Sequence, residues 1–193
     1  GLKRAARDVG GRQIQNAGTV AGNLCNASPA ADGVPPLLAL DAEVEIASRR
    51  GLRRIALGAF ITGNRRTVLA PDELVTAVLV PRPDHPARSA FAKLGARRYL
   101  VISIAMAAAT LEIDGGRIVR ARVAVGACSA VARRLSALEQ DLGGAPIDRS
   151  LVERVGPVHV APLAPIDDVR GSAAYRQDAA LTLLRRLLLE FAP

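Results

Sequence analysis

Residues 11–40 read GRQIQNAGTVAGNLCNASPAADGVPPLLAL, and this stretch decides how the rest of the chain is interpreted. It is rich in glycine and asparagine, and an apolar run follows it directly. A segment of this kind can bring bare backbone N–H groups against a phosphate. Within it, Thr19-Val20-Ala21-Gly22-Asn23 is the candidate phosphate loop. Gly22 lacks the Cβ that keeps backbone away from a ligand, while Thr19 and Asn23 offer a hydroxyl and an amide.

Downstream of that loop, Asp32 is a candidate acceptor for sugar hydroxyls. The same residues also have a plainer interpretation, because a glycine- and asparagine-rich segment is more often only a turn. The pattern is not GxGxxG, and no βαβ unit surrounds it. The residues by themselves therefore leave a turn and a phosphate loop open.

Composition limits the class of protein. The chain has 193 residues, of which 50% are hydrophobic and 23% charged, as expected for one large or two small globular domains and not for a disordered chain. The apolar run from Val101 to Leu111 is too short to span a membrane. Cys25 and Cys128 lie far apart, which predicts two free thiols in a reducing, cytoplasmic compartment. The isolated histidines predict no metal site.

The formal net charge of +8 comes almost entirely from arginine. A basic chain suggests nucleic acid or an anionic cofactor as a partner. However, the arginines occur in scattered pairs, and aromatic residues, at 3%, leave little for base stacking. We therefore favour solvated faces or subunit contacts over a nucleic-acid surface, and predict no nucleic-acid partner.

Residue patterns predict an α+β fold in two parts. Three prolines in residues 81–86 interrupt helix and sheet, so we place a domain boundary there, dividing the chain into 1–84 and 85–193. In the first part we predict a helix beginning at Val34 and strands at Glu43–Ser48, Arg53–Leu57 and Leu74–Val80.

In the second part, Ser89–Leu94 is predicted as a strand, and Asp114-Gly115-Gly116 as the turn of a hairpin between Ile102–Ile113 and Arg117–Cys128. A helix remains the alternative for its alanine-rich first limb. Helices are predicted at 131–141, at 148–155 and after Ser172, packed on one face of a small antiparallel sheet.

The ordered motifs carry a family resemblance. Thr19–Asn23 and Ala27-Ser28-Pro29-Ala30-Ala31-Asp32 are similar to the T-[VIL]-G-G-[ND] and A-S-P-x-x-D segments of the flavoprotein subunit of molybdenum hydroxylases, which include carbon monoxide dehydrogenases and xanthine dehydrogenases. The resemblance continues through residues 71–81, 91–98 and 165–176, and so spans nearly the whole chain. It implies a second FAD-binding lobe with a mixed sheet and short helices, followed by the C-terminal domain of the same flavoproteins.

The resemblance also implies roles for single residues. Thr19, Val20, Gly22 and Asn23 would face the FAD pyrophosphate, and Asp32 would hold ribityl or ribose hydroxyls. Lys93 would lie near the isoalloxazine edge, where a cation can stabilise reduced flavin, and Val75 would touch the ring. The alternative for Lys93 is an exposed strand charge. No residue is assigned a catalytic or metal-binding role.

The implied activity is that of an oxidoreductase FAD subunit. FAD would take electrons from 2Fe-2S clusters in a small subunit and pass them to an acceptor, while a large subunit holds the molybdopterin. Two departures favour the alternative of a cofactor-free scaffold or assembly module: Ala21 replaces a glycine, and an upstream FAD lobe lies outside the chain. We therefore expect the chain alone to bind FAD weakly or not at all.

Adjacent carboxylates at Asp167 and Asp168 suggest a catalytic pair, but no histidine or nucleophile lies nearby in sequence. We favour a helix-entry and ion-pair cluster with Arg170, Arg176 and the cap Ser172.

Overall fold

A computed structural model of the chain describes residues 1–98 and 100–193. The described strands form three antiparallel sheets, ordered β2-β1-β5, β3-β4 and β6-β7-β8-β9. The strands are β1 (Glu43–Ser48), β2 (Gly51–Ala56), β3 (Ile61–Gly63), β4 (Arg66–Thr67), β5 (Leu74–Leu79), β6 (Ala87–Leu94), β7 (Ala105–Asp114), β8 (Arg117–Gly126) and β9 (Arg133–Arg134). The helices are α1 (Leu2–Asp8), α2 (Arg12–Ala17), α3 (Val20–Cys25), α4 (Val34–Leu38), α5 (Leu57–Phe60), α6 (Ser136–Leu142), α7 (Pro157–Val160) and α8 (Ala173–Leu189).

The first part of the chain follows its residue pattern closely. Val44 and Ile46 alternate with the glutamates of β1 and are buried against α4 and α5. Pro35 and Pro36 lie in the first turn of α4, where the missing N–H costs nothing. The predicted strands and the α+β class are confirmed. The first sheet is antiparallel throughout, however, and not mixed as we expected, because the β1–β2 hairpin and the return of β5 leave no crossover connection.

The alanine-rich limb is the strand β7, and the hairpin prediction is confirmed. Gly115 and Gly116 turn the chain with φ of +53° and +75°. β7 is buried on both faces: Ala107 and Ala109 pack toward α8, while Met106 and Ala108 pack on the opposite side. Small side chains let a helix approach each face of the strand, which explains a composition that otherwise suggests a helix.

The four-stranded sheet β6-β7-β8-β9 has helices on both faces, where we predicted helices on one face only. α6 and α8 cover one face, and α4 from the first part of the chain covers the other. Two predicted helices are also shorter than expected. Residues 133–134 pair with β8, so α6 begins only at Ser136, and the 148–155 segment forms a 3₁₀ turn over Arg149–Val152 capped by Asp148.

Residues 81–86 have no regular structure, as their prolines predicted. Across this connection the two parts share buried surface, since Ala124 of β8 belongs to the core cluster around α4. They are also joined by ion pairs. Asp41, after α4, lies 2.6 Å from Arg134 Nη1 and 2.5 Å from Arg122 Nε. The division into 1–84 and 85–193 stays a prediction.

Candidate functional site

The predicted phosphate loop is the beginning of a helix. Thr19 is the N-cap of α3, and its Oγ1 accepts a hydrogen bond from the Gly22 N–H at 2.9 Å. A cap hydroxyl satisfies one of the amides that a helix start leaves without a partner, so this sequence favours a helix from Val20 onward over an open loop. The amides of Val20 and Ala21 lie in the same first turn, where α3 itself provides no acceptor.

Gly22 and Gly33 each leave room for a side chain of the protein. A Cβ on Gly22 would lie 2.9 Å from Thr19 Oγ1, and a Cβ on Gly33 would lie 2.7 Å from Asn23 Oδ1. Asn23 Oδ1 accepts a hydrogen bond from the Gly33 N–H at 3.1 Å. The missing Cβ atoms therefore make room for the cap of α3 at Gly22 and, at Gly33, for the contact that ties α3 to the start of α4.

Four of the predicted site residues line one cavity of about 550 Å³. Its lining includes Thr19, the N-cap of α3, the α3 residues Val20, Gly22 and Asn23, and two residues of α1. Val20 is about half exposed. Ala21 is not among the lining residues, so its methyl group does not face this cavity. The residue that departs from the family pattern is therefore not part of the cavity wall.

Asp32 and Lys93 form a buried ion pair that the sequence did not predict. Lys93 Nζ donates to Asp32 Oδ2 at 2.9 Å and to the backbone carbonyl of Asp8 at 3.2 Å. Ser103 Oγ donates to the other oxygen, Asp32 Oδ1, at 3.1 Å. The side chains of Lys93 and Asp32 are only 7% and 9% exposed.

Burial raises the pKa of Asp32, and the hydrogen bonds from Lys93 and Ser103 only partly oppose it. Water no longer stabilises the carboxylate, so its negative charge depends on these two partners. A perturbed carboxyl group beside a cation and next to a cavity is a common feature of functional sites.

Lys93 lines a second cavity, of about 690 Å³, which is strongly basic. Arginine side chains converge there from α1 and from the segment after β6, with one acidic residue among them: Arg4, Arg7, Asp8, Arg97 and Arg98. Lys93 is therefore not an exposed strand charge. It is a largely buried ammonium in the wall of a cationic cavity, which suits an anionic or electron-rich group.

Helix α1 stands between the two cavities. Leu2, Ala6 and Val9 line the first, while Arg4 and Arg7 line the second, as expected for residues on two sides of one helix. The structure thus brings Thr19, Val20, Gly22 and Asn23 together, and separately joins Asp32 to Lys93. Val75, in β5, packs against the core cluster around α4 and lines neither cavity.

Sequence reasoning missed Ser103 and the backbone of Asp8. The available signal was a lone serine between Ile102 and Ile104 in an apolar run. A hydroxyl placed there must find a partner if the run is buried, and Ser103 is 1% exposed.

The Asp167–Asp168 pair is confirmed as a helix-entry cluster. Asp167 Oδ1 accepts from the Ala173 N–H at 2.6 Å, and Ser172 Oγ accepts from the Tyr175 N–H. Asp168 accepts from the Arg170 N–H and pairs with the side chains of Arg170 and Arg176, which lowers its pKa to about 2.

Several arginine pairs are held by acidic residues. On the first sheet, Arg53 lies 2.6 Å from Glu73, Arg54 lies 3.0 Å from Glu45, and Arg50 pairs with Asp72. These contacts occupy the guanidinium groups within the protein. Among the described residues, no helix is both long and apolar enough to cross a membrane.

Two families match the chain. The family described as FAD binding domain in molybdopterin dehydrogenase matches residues 1–83, and the CO dehydrogenase flavoprotein C-terminal domain matches residues 90–191. Together they cover both cavities and the ion pair of Asp32 with Lys93.

Individual proteins agree with these matches. The chain is 33% identical to the nicotinate dehydrogenase FAD-subunit of Eubacterium barkeri, over 98% of this chain and 65% of that protein. It is 30% identical to the carbon monoxide dehydrogenase medium chain of Afipia carboxidovorans, over 90% and 60% of the two chains. A structure of reconstituted CO dehydrogenase from Oligotropha carboxidovorans superposes with a TM-score of 0.90 at 28% identity, covering 99% of this chain and 66% of that one. The chain thus spans about 65% of the length of the curated relatives it matches.

Proposed function

We infer a function from one premise: this chain belongs to the FAD-binding flavoprotein family of the molybdopterin dehydrogenases. The proposed role is that of the flavoprotein component of a molybdenum hydroxylase or dehydrogenase. Bound FAD would accept electrons from 2Fe-2S clusters and pass them to an acceptor. The proposed partners are a molybdopterin-binding large subunit and a 2Fe-2S small subunit, in the cytoplasm, where the free thiols Cys25 and Cys128 persist. The proposed division of labour places FAD contacts mainly in residues 1–84 and the C-terminal domain in 85–193.

The observation that carries the proposal is the convergence of Thr19, Gly22 and Asn23 on one cavity. The first-turn amides of α3 provide N–H donors without acceptors in the helix, and the Asn23 side-chain amide retains its NH₂ group after its oxygen has bound Gly33. Donors without negative charge suit the pyrophosphate of FAD. Because Ala21 does not line the cavity, its methyl group gives no reason to favour a cofactor-free scaffold.

In the second cavity, Lys93 supplies positive charge where the isoalloxazine edge is proposed to lie. Its ammonium donates to Asp32 and to the Asp8 carbonyl, and so is held in one place. Val75 lies on the core side of β5, so a contact with the ring requires the flavin to reach beyond the lining of either cavity.

The experiment is an FAD titration followed by quenching of flavin fluorescence. It uses this chain alone and the same chain joined to an upstream FAD lobe of the kind that the resemblance implies. We expect weak binding by the first and tight, stoichiometric binding by the second. Asn23→Ala should weaken binding by about tenfold or more, the effect of losing one hydrogen bond to a charged group. Thr67→Ala is the matched control, since the Thr67 hydroxyl accepts a hydrogen bond from the Leu69 N–H and Thr67 lies in β4, away from the lining of either cavity.

Absence of flavin binding by the joined protein, with its fold intact, would favour the scaffold alternative. Equal losses in Asn23→Ala and Thr67→Ala would show that the α3 cavity is not the pyrophosphate site.

A further inference from the structure

The ion pair between Lys93 and Asp32 has a third member, Ser103. The three side chains come from separate parts of the chain: Asp32 precedes α4, Lys93 is in β6 and Ser103 precedes β7. All three are almost fully buried, with Ser103 1% exposed. A buried polar group keeps its place only when its hydrogen bonds are made, so this arrangement constrains each member.

The sheet determines where Ser103 lies. The Ile104 N–H donates to the Leu94 carbonyl at 2.8 Å, which continues the ladder between β6 and β7. This bond places Ser103 beside the strand that carries Lys93. The hydroxyl, from the residues that lead into β7, and the ammonium, from β6, therefore reach the same carboxylate, one at each oxygen.

Both carboxylate oxygens of Asp32 are thus engaged within the protein, and Asp32 lines neither cavity. Lys93 is different. Its ammonium has three donors, of which one binds Asp32 and one binds the Asp8 carbonyl, and its side chain lines the basic cavity. One donor of Lys93 remains for a ligand, as judged within the described residues.

We propose that Ser103 is a positioning residue that fixes the Asp32 carboxylate on the Lys93 ammonium, and that Asp32, as the counter-ion of Lys93, tunes the charge that the ammonium presents to the flavin. The role toward the flavin rests on the proposed function. The positioning role does not, because it concerns only groups of this chain.

Two consequences follow from the charges. The Ser103 hydroxyl donates to the ionised carboxylate, so its loss raises the pKa of Asp32 further and loosens the contact with Lys93. Asp32 also offsets the positive charge that Lys93 presents to the cavity. Removing the Asp32 charge exposes the flavin to the full ammonium, which favours the reduced, anionic flavin and raises its midpoint potential.

The first test uses nuclear magnetic resonance of this chain labelled at the lysine 15Nζ and aspartate 13Cγ atoms. Its only lysines are Lys3 and Lys93, so Lys3, on α1, is an internal reference. We expect Ser103→Ala to raise the pKa of Asp32. We also expect the Lys93 ammonium protons to exchange with water about fivefold faster, the factor for one net hydrogen bond, while the Lys3 signal stays unchanged.

Ser129→Ala is the matched control. It removes another buried serine hydroxyl, one that bonds the Cys128 carbonyl and the Ala164 N–H away from the ion pair. We expect it to leave the signals of Asp32 and Lys93 as in the wild type. If Ser103→Ala changes them no more than Ser129→Ala does, the positioning role is wrong.

The second test measures the midpoint potential of FAD in the joined protein for Asp32→Asn, Lys93→Met and the double variant. A counter-ion acts through Lys93, so Asp32→Asn should raise the potential alone but have no effect in the Lys93→Met background. An equal effect in both backgrounds, or a loss of FAD affinity without any rise in potential, would identify Asp32 as a direct ligand and overturn the proposal.

If the joined protein binds no FAD, the proposed function fails and the flavin role of Asp32 fails with it. The nuclear magnetic resonance titration still decides the positioning role of Ser103, so the two failures are distinguishable.

Discussion

Replacing Arg122 with methionine tests the ionic contact that joins the two parts of the chain. Arg122 is 5% exposed and lies between Asp41, after α4, and Glu112 in β7, with which its Nη2 forms an ion pair. Glu112 is 1% exposed, and within the described residues its carboxylate accepts one further hydrogen bond, from the backbone N–H of His85 at 3.3 Å. Loss of Arg122 therefore leaves a buried carboxylate with one weak hydrogen bond.

Removing one member of a buried ion pair costs about 3–5 kcal/mol, because the remaining charge has lost both water and its partner. We take about 3 kcal/mol for Arg122→Met, since the His85 N–H stays in place and methionine fills much of the volume. With a urea dependence of about 2 kcal/mol per molar, the unfolding midpoint should fall by about 1.5 M. The assay is urea unfolding at neutral pH followed by far-ultraviolet circular dichroism.

Two further variants make the result specific to the buried pair. Arg120→Met removes a neighbouring arginine that is more than half exposed and lies 3.9 Å from Asp41, so it should cost less than about 1 kcal/mol. Adding Glu112→Leu to Arg122→Met removes the stranded charge and should recover at least half of the loss. The reasoning is refuted if Arg122→Met costs no more than Arg120→Met, or if the double variant is no more stable than Arg122→Met.

Three other predictions concern α3, the helix-entry cluster and the thiols. Thr19→Ala removes the cap of α3, worth about 1 kcal/mol, so the Gly22 amide should exchange with deuterium about fivefold faster in hydrogen-exchange measurements. Asp168 has a folded-state pKa of about 2, below the unfolded value of about 3.9. Its contribution to stability is therefore present above pH 4 and is lost as the pH falls toward 2. Asp168→Asn should reduce the fall in the urea midpoint between pH 6 and pH 3. Cys25 is exposed, whereas burial raises the pKa of Cys128 to about 11, so a thiol reagent at pH 8 should modify one cysteine in the native protein and both in urea.

These three predictions have simple contradicting outcomes. Unchanged exchange at Gly22 would mean that the Thr19 hydroxyl does not cap α3. An identical pH profile for Asp168→Asn would mean that the Asp168 carboxylate has the same pKa in both states. Two thiols modified at equal rates in the native protein would mean that Cys128 is accessible.

The sequence correctly predicted those helices, strands and turns that are determined by residues close together in the chain. Ser172 caps α8 because its hydroxyl reaches an amide three residues on, and Pro35 and Pro36 suit the first turn of α4. The alternation of β1 and the Asp114-Gly115-Gly116 turn are equally local. The family motifs could also be recognised, because the order of short motifs along the chain can be read without any knowledge of distances in space.

The predictions were wrong where contacts between residues distant in sequence determine the local structure. The residue pattern of the 131–141 segment suggested a helix, but residues 133–134 form the edge strand of the four-stranded sheet, beside β8. The helix that covers the second face of that sheet is α4, which lies in the first part of the chain, far from these strands in sequence. Propensity is weak compared with the free energy of burying an apolar face, so such contacts override the local pattern.

The sequence by itself determined the α+β class, the capped helices and the motifs that place Thr19, Asp32 and Lys93 in one family pattern. Only the tertiary structure decided what Asp32 and Lys93 do to each other. They are 61 residues apart, and Ser103 is 71 residues from Asp32. No periodic pattern in the sequence predicts these contacts. It follows from the packing of α4 against the sheet, which removes water from the carboxylate and leaves the ammonium and the hydroxyl as its partners.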